Sequence, residues 1–162
     1  MINFRNAQLH DLSQIVDIYN SIIPGRMVTA DTEPVSVESR VEWFNSHHSK
    51  RPLLVGEVDG KVIGFLSFKS FYGRPAYNGT VEIAIYLAEN ERGKGFGKLF
   101  LQKAIDLAPS LEIKTILGFI FAHNTPSIKL FKQFGFEEYG HLPKVAVMDG
   151  KEYDLVILGK KI

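Results

Sequence analysis

The stretch Arg92-Gly93-Lys94-Gly95-Phe96-Gly97-Lys98 lies between two strongly patterned segments. Before it, Thr80 to Leu87 alternates Val81, Ile83, Ile85 and Leu87 on one face with Glu82, Ala84 and Tyr86 on the other, the period of a strand. After it, Gly97, Phe100, Leu101, Ala104, Ile105 and Ala108 follow helical spacing. A glycine-rich turn between a strand and a helix reads as an anion site, the plainer alternative being a flexible turn before a helix. Glycines let backbone N–H groups turn inward without side-chain obstruction, and the helix N-terminus adds about half a positive charge. Arg92, Lys94 and Lys98 add formal cations. The mononucleotide pattern G-x-x-x-x-G-K-[ST] fails at Arg92 and Leu99, and the dinucleotide pattern G-x-G-x-x-G fails at Lys98.

Working outward, residues 2–6 read as a strand, and Leu12, Ile15, Val16, Tyr19 and Ile22 or Ile23 form a helical stripe behind Asp11. Ser36 is placed to cap a second helix carrying Val37, Val41 and Phe44 on one face. Residues 53–58 and 61–69 flank Asp59-Gly60, the signal of a tight hairpin. Residues 71–79 are too irregular for a strand and read as a loop. Residues 115–121 read as a buried strand, Thr125-Pro126 opens another helix, and Gly135 closes it. Two last strands, around 136–142 and 153–158, are joined by a turn at Asp149-Gly150. The order is antiparallel first and strand-helix crossovers later, which predicts an α/β class: a mixed central sheet with helices on both faces.

The 162 residues fit one domain, 1–162. A net charge of +1 provides no global field for nucleic acid or an anionic membrane surface, so neither is an expected partner. The absence of cysteine excludes a thiol mechanism and fits a reducing compartment. The opening residues lack a secretory pattern, and no apolar run approaches the ~20 residues of a membrane span, so a cytoplasmic location is expected. The five histidines show no ligand spacing, no metal is implied, and His47-His48 read as the exposed end of the second helix. No G-x-S-x-G elbow supports hydrolase chemistry.

Arg92-x-x-Gly95-x-Gly97 resembles the R/Q-x-x-G-x-G/A pyrophosphate loop of the GNAT N-acetyltransferase superfamily. Val81 to Leu87 resembles the family strand before that loop, and Asn124-Thr125-Pro126-Ser127 through Phe134-Gly135-Phe136 resembles its second motif. Residues 18–20, 29–34, 43–44, 52–55, 80–86, 140–142 and 153–155 are similar to the branch of phosphinothricin and methionine sulfoximine N-acetyltransferases.

The resemblance implies a GNAT-like acyl-CoA N-acyltransferase fold with a splay between the two central strands, 80–87 and 115–121. It implies acetyl-CoA as co-substrate, held by Ile85, Tyr86 and Leu87, by Arg92, Gly93, Lys94, Gly95, Phe96, Gly97 and Lys98, and by Asn124 and Ser127. It implies acetyl transfer to the amino group of a small amino acid or analogue, with Glu82 as base, acting directly or through a water. A salt-bridged strand carboxylate is the plainer reading of Glu82. Phe131 stands where the family often carries a proton-donating tyrosine or histidine, so water, Tyr86 or another hydroxyl protonates the thiolate, or coenzyme A leaves as thiolate. Phe71, Arg74 and Tyr77 read as binding the acceptor, Arg74 by clamping an acidic oxygen, with Met27 as an apolar wall; a solvated surface arginine and a core methionine are the plainer readings. A homodimer, common in this branch, is implied. Two other functions fit: a non-catalytic acyl-CoA sensor, favoured by Phe131, and a protein or peptide N-acetyltransferase.

Overall fold

Seven strands and four helices run along residues 1–162 of the computed structural model, all of which are described: β1 (Asn3–Asn6), α1 (Leu12–Ile22), α2 (Val41–Asn45), β2 (Leu53–Val58), β3 (Lys61–Ser70), β4 (Thr80–Leu87), α3 (Phe96–Leu107), β5 (Thr115–Phe121), α4 (Thr125–Gln133), β6 (Glu137–Met148) and β7 (Lys151–Lys161). The strands form one sheet in the order β1-β2-β3-β4-β5-β7-β6. Every pairing is antiparallel except β4 with β5. That parallel pair is short: Thr80 faces Thr115, Val81 faces Ile116 and Glu82 faces Leu117. Beyond Glu82 the two strands part, although β4 continues to Leu87 and β5 to Phe121. This is the expected splay.

Alternation along the strands gives the sheet two apolar faces. On one, Leu66, Phe68, Val81, Ile83 and Ile116 pack with Phe100, Leu101 and Ala104 of α3 and Phe131 of α4. On the other, Leu53, Val55 and Phe65 pack with Ile15 and Ile18 of α1. No helix is long and apolar enough to cross a membrane.

The second helix differs from expectation. Ser36 does act as a cap, accepting from the Ser39 N–H at 3.1 Å, but a 3₁₀ turn over Glu38–Arg40 follows and the α-helix proper is five residues long. It stops because side chains take its last carbonyls: the Ser46 hydroxyl bonds Trp43 O, and His47 Nδ1 lies 3.0 Å from Trp43 O. His47 is half-buried rather than exposed, as the Trp43 ring and β3 enclose it. The last two strands are longer than read. Most of β6 faces solvent, so no apolar alternation marks it, and register shifts between Glu138 and Gly140 and between Leu142 and Ala146 break its period. The loop at 71–79 contains a 3₁₀ turn, Pro75–Tyr77.

The first strand is tied to the start of α1 through one arginine. Arg5 donates to both Asp11 oxygens at 2.7 and 2.9 Å and to Glu57 Oε1 at 2.6 and 2.9 Å. Asp11, only 2% exposed, also accepts the Gln8 N–H at 2.7 Å. The guanidinium holds the Asp11 carboxyl below its usual range, against burial, which raises it. Stability from a lowered carboxyl is present above the unfolded-state value and is lost as pH falls through the folded-state value. Arg5→Met leaves Asp11 buried and unpaired, with an expected loss of about 3 kcal/mol at neutral pH. Urea unfolding across a pH series should show the wild-type stability falling steeply below about pH 4 and the variant changing less there.

Candidate active site

Two cavities lie beside the divergence of β4 and β5 and share a wall. The larger is a cleft of about 880 Å³ that runs along Ile83–Leu87 of β4 and Gly118–Phe121 of β5, the segments released from pairing. Met27–Asp31 and Ser127, Leu130 and Phe131 of α4 also line it, and Arg92, Gly93 and Gly97 stand along its wall. The smaller cavity, about 160 Å³, lies between the sheet and the first two helices. Tyr19, Lys69, Glu82, Ala84 and Tyr86 line both.

Register explains the floor of the small cavity. Phe65 pairs with Tyr86, Ser67 with Ala84 and Lys69 with Glu82, and side chains of paired residues share a face. All six line the cavity. Its roof is Ile15, Val16 and Tyr19 of α1, with Val35, Arg40 and Trp43. Arg40 donates to Asp31 at 2.8 Å and lies 4.9 Å over the Tyr19 ring, while the Tyr19 hydroxyl donates to Asp31 and contacts Thr29. The polar groups on this side of the roof are therefore already satisfied by one another.

Glu82 is not. It has no salt bridge and no hydrogen bond to the protein, which removes the salt-bridged reading. Burial raises its carboxyl above the usual range, and the positive charge of Lys69, its cross-strand neighbour, lowers it in part. The Tyr86 hydroxyl, bonded to no protein group, is pushed well up by burial and stays protonated. Both groups present their polar atoms to cavity space, since no fully enclosed side-chain oxygen or nitrogen lacks a partner.

At the other end of the cleft, Gly93 (φ 77°) and Gly95 (φ 86°) take the left-handed conformation, and Gly95 is the N-cap of α3. A Cβ at either glycine would meet nothing within 4 Å. The space before the first-turn N–H groups is open, so these donors can receive an anion. Arg92 pairs with Glu89 at 3.3 Å and Lys94 with Glu91 at 3.0 Å, so two of the expected cations have carboxylate partners. Exposed pairs of this kind are weak and can be exchanged for a phosphate.

The structure brings Glu82, Ile85, Tyr86, Leu87, Arg92, Gly93, Gly97, Asn124, Ser127 and Met27 to one cleft. Lys94, Gly95, Phe96 and Lys98 stand in the loop and helix start beside it. Asn124 is 3% exposed and its amide is committed on both sides, accepting from the Ser127 N–H and donating to Met27 O, each at 3.3 Å. Phe71, Arg74 and Tyr77 line neither cavity of the single chain; the two aromatic rings pack 5.4 Å apart, and Arg74 is exposed. Sequence reasoning missed Tyr19, Arg40, Ser67 and Lys69. Ser67 and Lys69, two residues apart on β3, share a face, but only the register sets them beside Glu82.

A model described as Acetyltransferase (GNAT) family matches residues 13–136, from the first helix past the glycine loop to the end of α4. The chain belongs to the GNAT acetyltransferase family. Among curated GNAT relatives, YwnH of Bacillus subtilis, provisionally named a phosphinothricin acetyltransferase, is 53% identical over 99% of both chains. An L-methionine sulfoximine/L-methionine sulfone acetyltransferase of Pseudomonas aeruginosa is 30% identical over 96% of this chain and 92% of its own. A crystal structure of a Sinorhizobium meliloti GNAT phosphinothricin acetyltransferase in complex with acetyl-CoA superposes with a TM-score of 0.93 at 27% identity, covering 99% of this chain and 88% of that one.

Lys69 is the one charge that opposes the effect of burial on Glu82. In this GNAT chain the Glu82 carboxyl, followed by carbon-13 NMR, should titrate above the ordinary 4.5, and Lys69→Met should move it higher still.

Proposed function

We propose that this acetyltransferase moves the acetyl group of acetyl-CoA to the amino group of a small amino acid or a close analogue, by direct attack within one complex. The observation that carries the reading is Glu82: an unpaired, half-buried carboxylate on the wall between a long cleft and a small cavity.

The residues present fit acetyl-CoA. The freed edges of β4 and β5 offer backbone N–H and C=O groups to an extended amide chain, as a further strand would. Gly93 to Lys98 and Arg92 would receive the pyrophosphate, and Ser127 would face the arm from α4. Bound acetyl-CoA supplies an activated thioester: the amine nitrogen forms the new C–N bond, the C–S bond breaks, and the sulfur leaves with the electron pair.

An amine at neutral pH carries an extra proton, and its lone pair must be freed before attack. Glu82 takes that proton, directly or through a water. Its raised carboxyl suits the role, since a base with a pKa nearer neutrality retains more driving force for proton removal. The Tyr86 hydroxyl, protonated and free of protein partners, hydrogen-bonds or protonates the departing sulfur, and the second proton, shed by the nitrogen as the amide forms, passes through cleft water to Tyr86 or to the thiolate. Phe131 packs its ring against Gly118, where a Cβ would lie 2.7 Å from the ring, and takes no part in proton transfer. The same wall argues against a pure sensor, because a binding protein gains nothing from a half-buried unpaired carboxylate. The small volume of the second cavity, about 160 Å³, favours a metabolite over a peptide.

Arg74 remains our candidate for the acceptor's acidic oxygen, with Phe71 and Tyr77 shaping its loop. A homodimer is part of this reading: Val145, 55% exposed, lines the cleft rim, and Leu142 and Val147 extend an exposed apolar strip from it that a second copy would cover.

Coenzyme A release should be measured with free amino acids, methionine sulfone, methionine sulfoximine and phosphinothricin, and with a lysine peptide as contrast. Saturable release is expected with a small acceptor and not with the peptide. Glu82→Gln should lower kcat by about 10²–10⁴-fold and leave the KM for acetyl-CoA unchanged; an unaltered rate would remove Glu82 as base. The wild-type rate should rise with pH through the raised Glu82 value, because the base works only when deprotonated. Arg74→Ala should raise the acceptor KM about tenfold or more with little change in that for acetyl-CoA.

A further inference from the structure

Ser67, on the floor of the small cavity, is paired with His47, which lines neither cavity, and the transfer chemistry has not used this pair. His47 Nε2 and Ser67 Oγ are 2.7 Å apart, and Ser67, 6% exposed, lines the cavity one strand over from Glu82. The hydrogen positions follow from the partners. His47 Nδ1 faces the carbonyl oxygens of Trp43 and Phe44 at 3.0 and 3.2 Å, and a carbonyl only accepts, so Nδ1 carries the ring proton. Burial favours the neutral imidazole, so Nε2 holds a lone pair, and the Ser67 hydroxyl must donate to it. That spends the only proton of Ser67. Toward the cavity its oxygen presents lone pairs alone.

Most of the other polar groups around this cavity are donors or are already committed. Arg40 and Lys69 are cations, and the Tyr19 hydroxyl is bonded to Asp31 and Thr29. The acceptors near the floor are Glu82 and Ser67. Ser67 pairs with Ala84, so Glu82 is its diagonal neighbour, about 7–8 Å away on the same face. One nitrogen with a hydrogen bond of about 2.9 Å on each side spans about 6 Å between acceptors, within reach of both side chains. Tyr86 stands four residues along the strand from Glu82, a Cα separation of about 13 Å, and is assigned to the departing sulfur rather than to the nitrogen.

We infer that Ser67 is the second hydrogen-bond acceptor for the substrate amine, locked in that role by His47, and that this pair sets how strongly a primary amine is preferred over its N-methyl derivative. The inference rests on the acetyltransfer reading above. A neutral primary amine has two N–H groups and one lone pair. One N–H meets Ser67, the other meets Glu82 or its water, and the lone pair is left for the thioester carbon. An N-methylated amine keeps one N–H and leaves one buried acceptor without a partner, a cost that sites built around an N–H exact strongly. Ser67 is a binding residue in this scheme and His47 a positioning residue.

The experiment compares the panel amino acid turned over fastest with its N-methyl derivative, using the purified full chain. Wild type should prefer the primary amine by at least about tenfold in kcat/KM. Ser67→Ala should raise the KM of the primary amine about tenfold, change kcat little, leave the acetyl-CoA KM unchanged, and collapse the preference. Ser67→Thr keeps the hydroxyl and should restore it, and His47→Phe should weaken it, because Ser67 regains a free proton. The unchanged acetyl-CoA KM also reports that each variant is folded. An undiminished preference in Ser67→Ala overturns this inference alone. A wild-type enzyme that acetylates no amine of the panel overturns the acetyltransfer reading, and this inference with it.

Discussion

The architecture turns on the parting of two parallel strands after three residue pairs. Adjacent strands normally continue until one ends, because each lost pairing exposes an N–H or a C=O. Here β4 and β5 each run on past Glu82 and Leu117 with no partner between them. Compensation lies on the outer sides. β4 stays paired with β3 through to Leu87, and β5 stays paired with β7 through to Phe121, so both strands remain rigid while the edges between them open. Phe131 presses on Gly118 at the first residue beyond the split, where any side chain would collide with its ring. The unpaired backbone groups line a cleft wide enough for water or a ligand rather than a dry core, which removes most of the penalty for leaving them unbonded.

Once the strands part, alternation does the rest. Val81 and Ile83 face the α3 side and enter the larger core. Glu82, Ala84 and Tyr86 face the α1 side, where the first helices do not fill the volume above them. A carboxylate, a small residue and a phenol thus project from one rigid strand at intervals set by the strand rise, with Ala84 leaving room between the other two. Placement on a central strand flanked by pairing on β3 gives this group little freedom to drift, and acyl transfer needs that constancy.

Legibility in the sequence followed the range of the interactions. The glycine loop, the strand before it and the helix after it were readable because their information is local: positive φ at Gly93 and Gly95, period two before and helical period after. Glu82 was readable because the alternation put it on the polar face of that strand. Ser67 and Lys69 were not, since what matters about them is their pairing with Ala84 and Glu82, and register across β3 and β4 depends on the intervening nine-residue loop. His47 was misjudged for a related reason. Next to His48 at the end of a short polar helix it reads as surface, and only the packing of α2 against β3 puts its ring on Ser67. The length of β6 and β7 was hidden because they form an exposed ribbon with broken register, where burial imposes no pattern.

The charges separate structure from function. Asp11 and Glu57 have Arg5, Asp149 has Arg26, Asp31 has Arg40, Asp154 has His141, and even the loop cations Arg92 and Lys94 hold Glu89 and Glu91. Each of these carboxylates could be explained by stability or solubility. Glu82 cannot. Its carboxyl is raised, so it binds a proton more tightly folded than unfolded, and as pH rises through that value its contribution to stability is lost. At neutral pH the fold is less stable for carrying it. On the function proposed above, a group that stability disfavours, held on a central strand between two cavities and left without a protein partner, has its partner in what enters them.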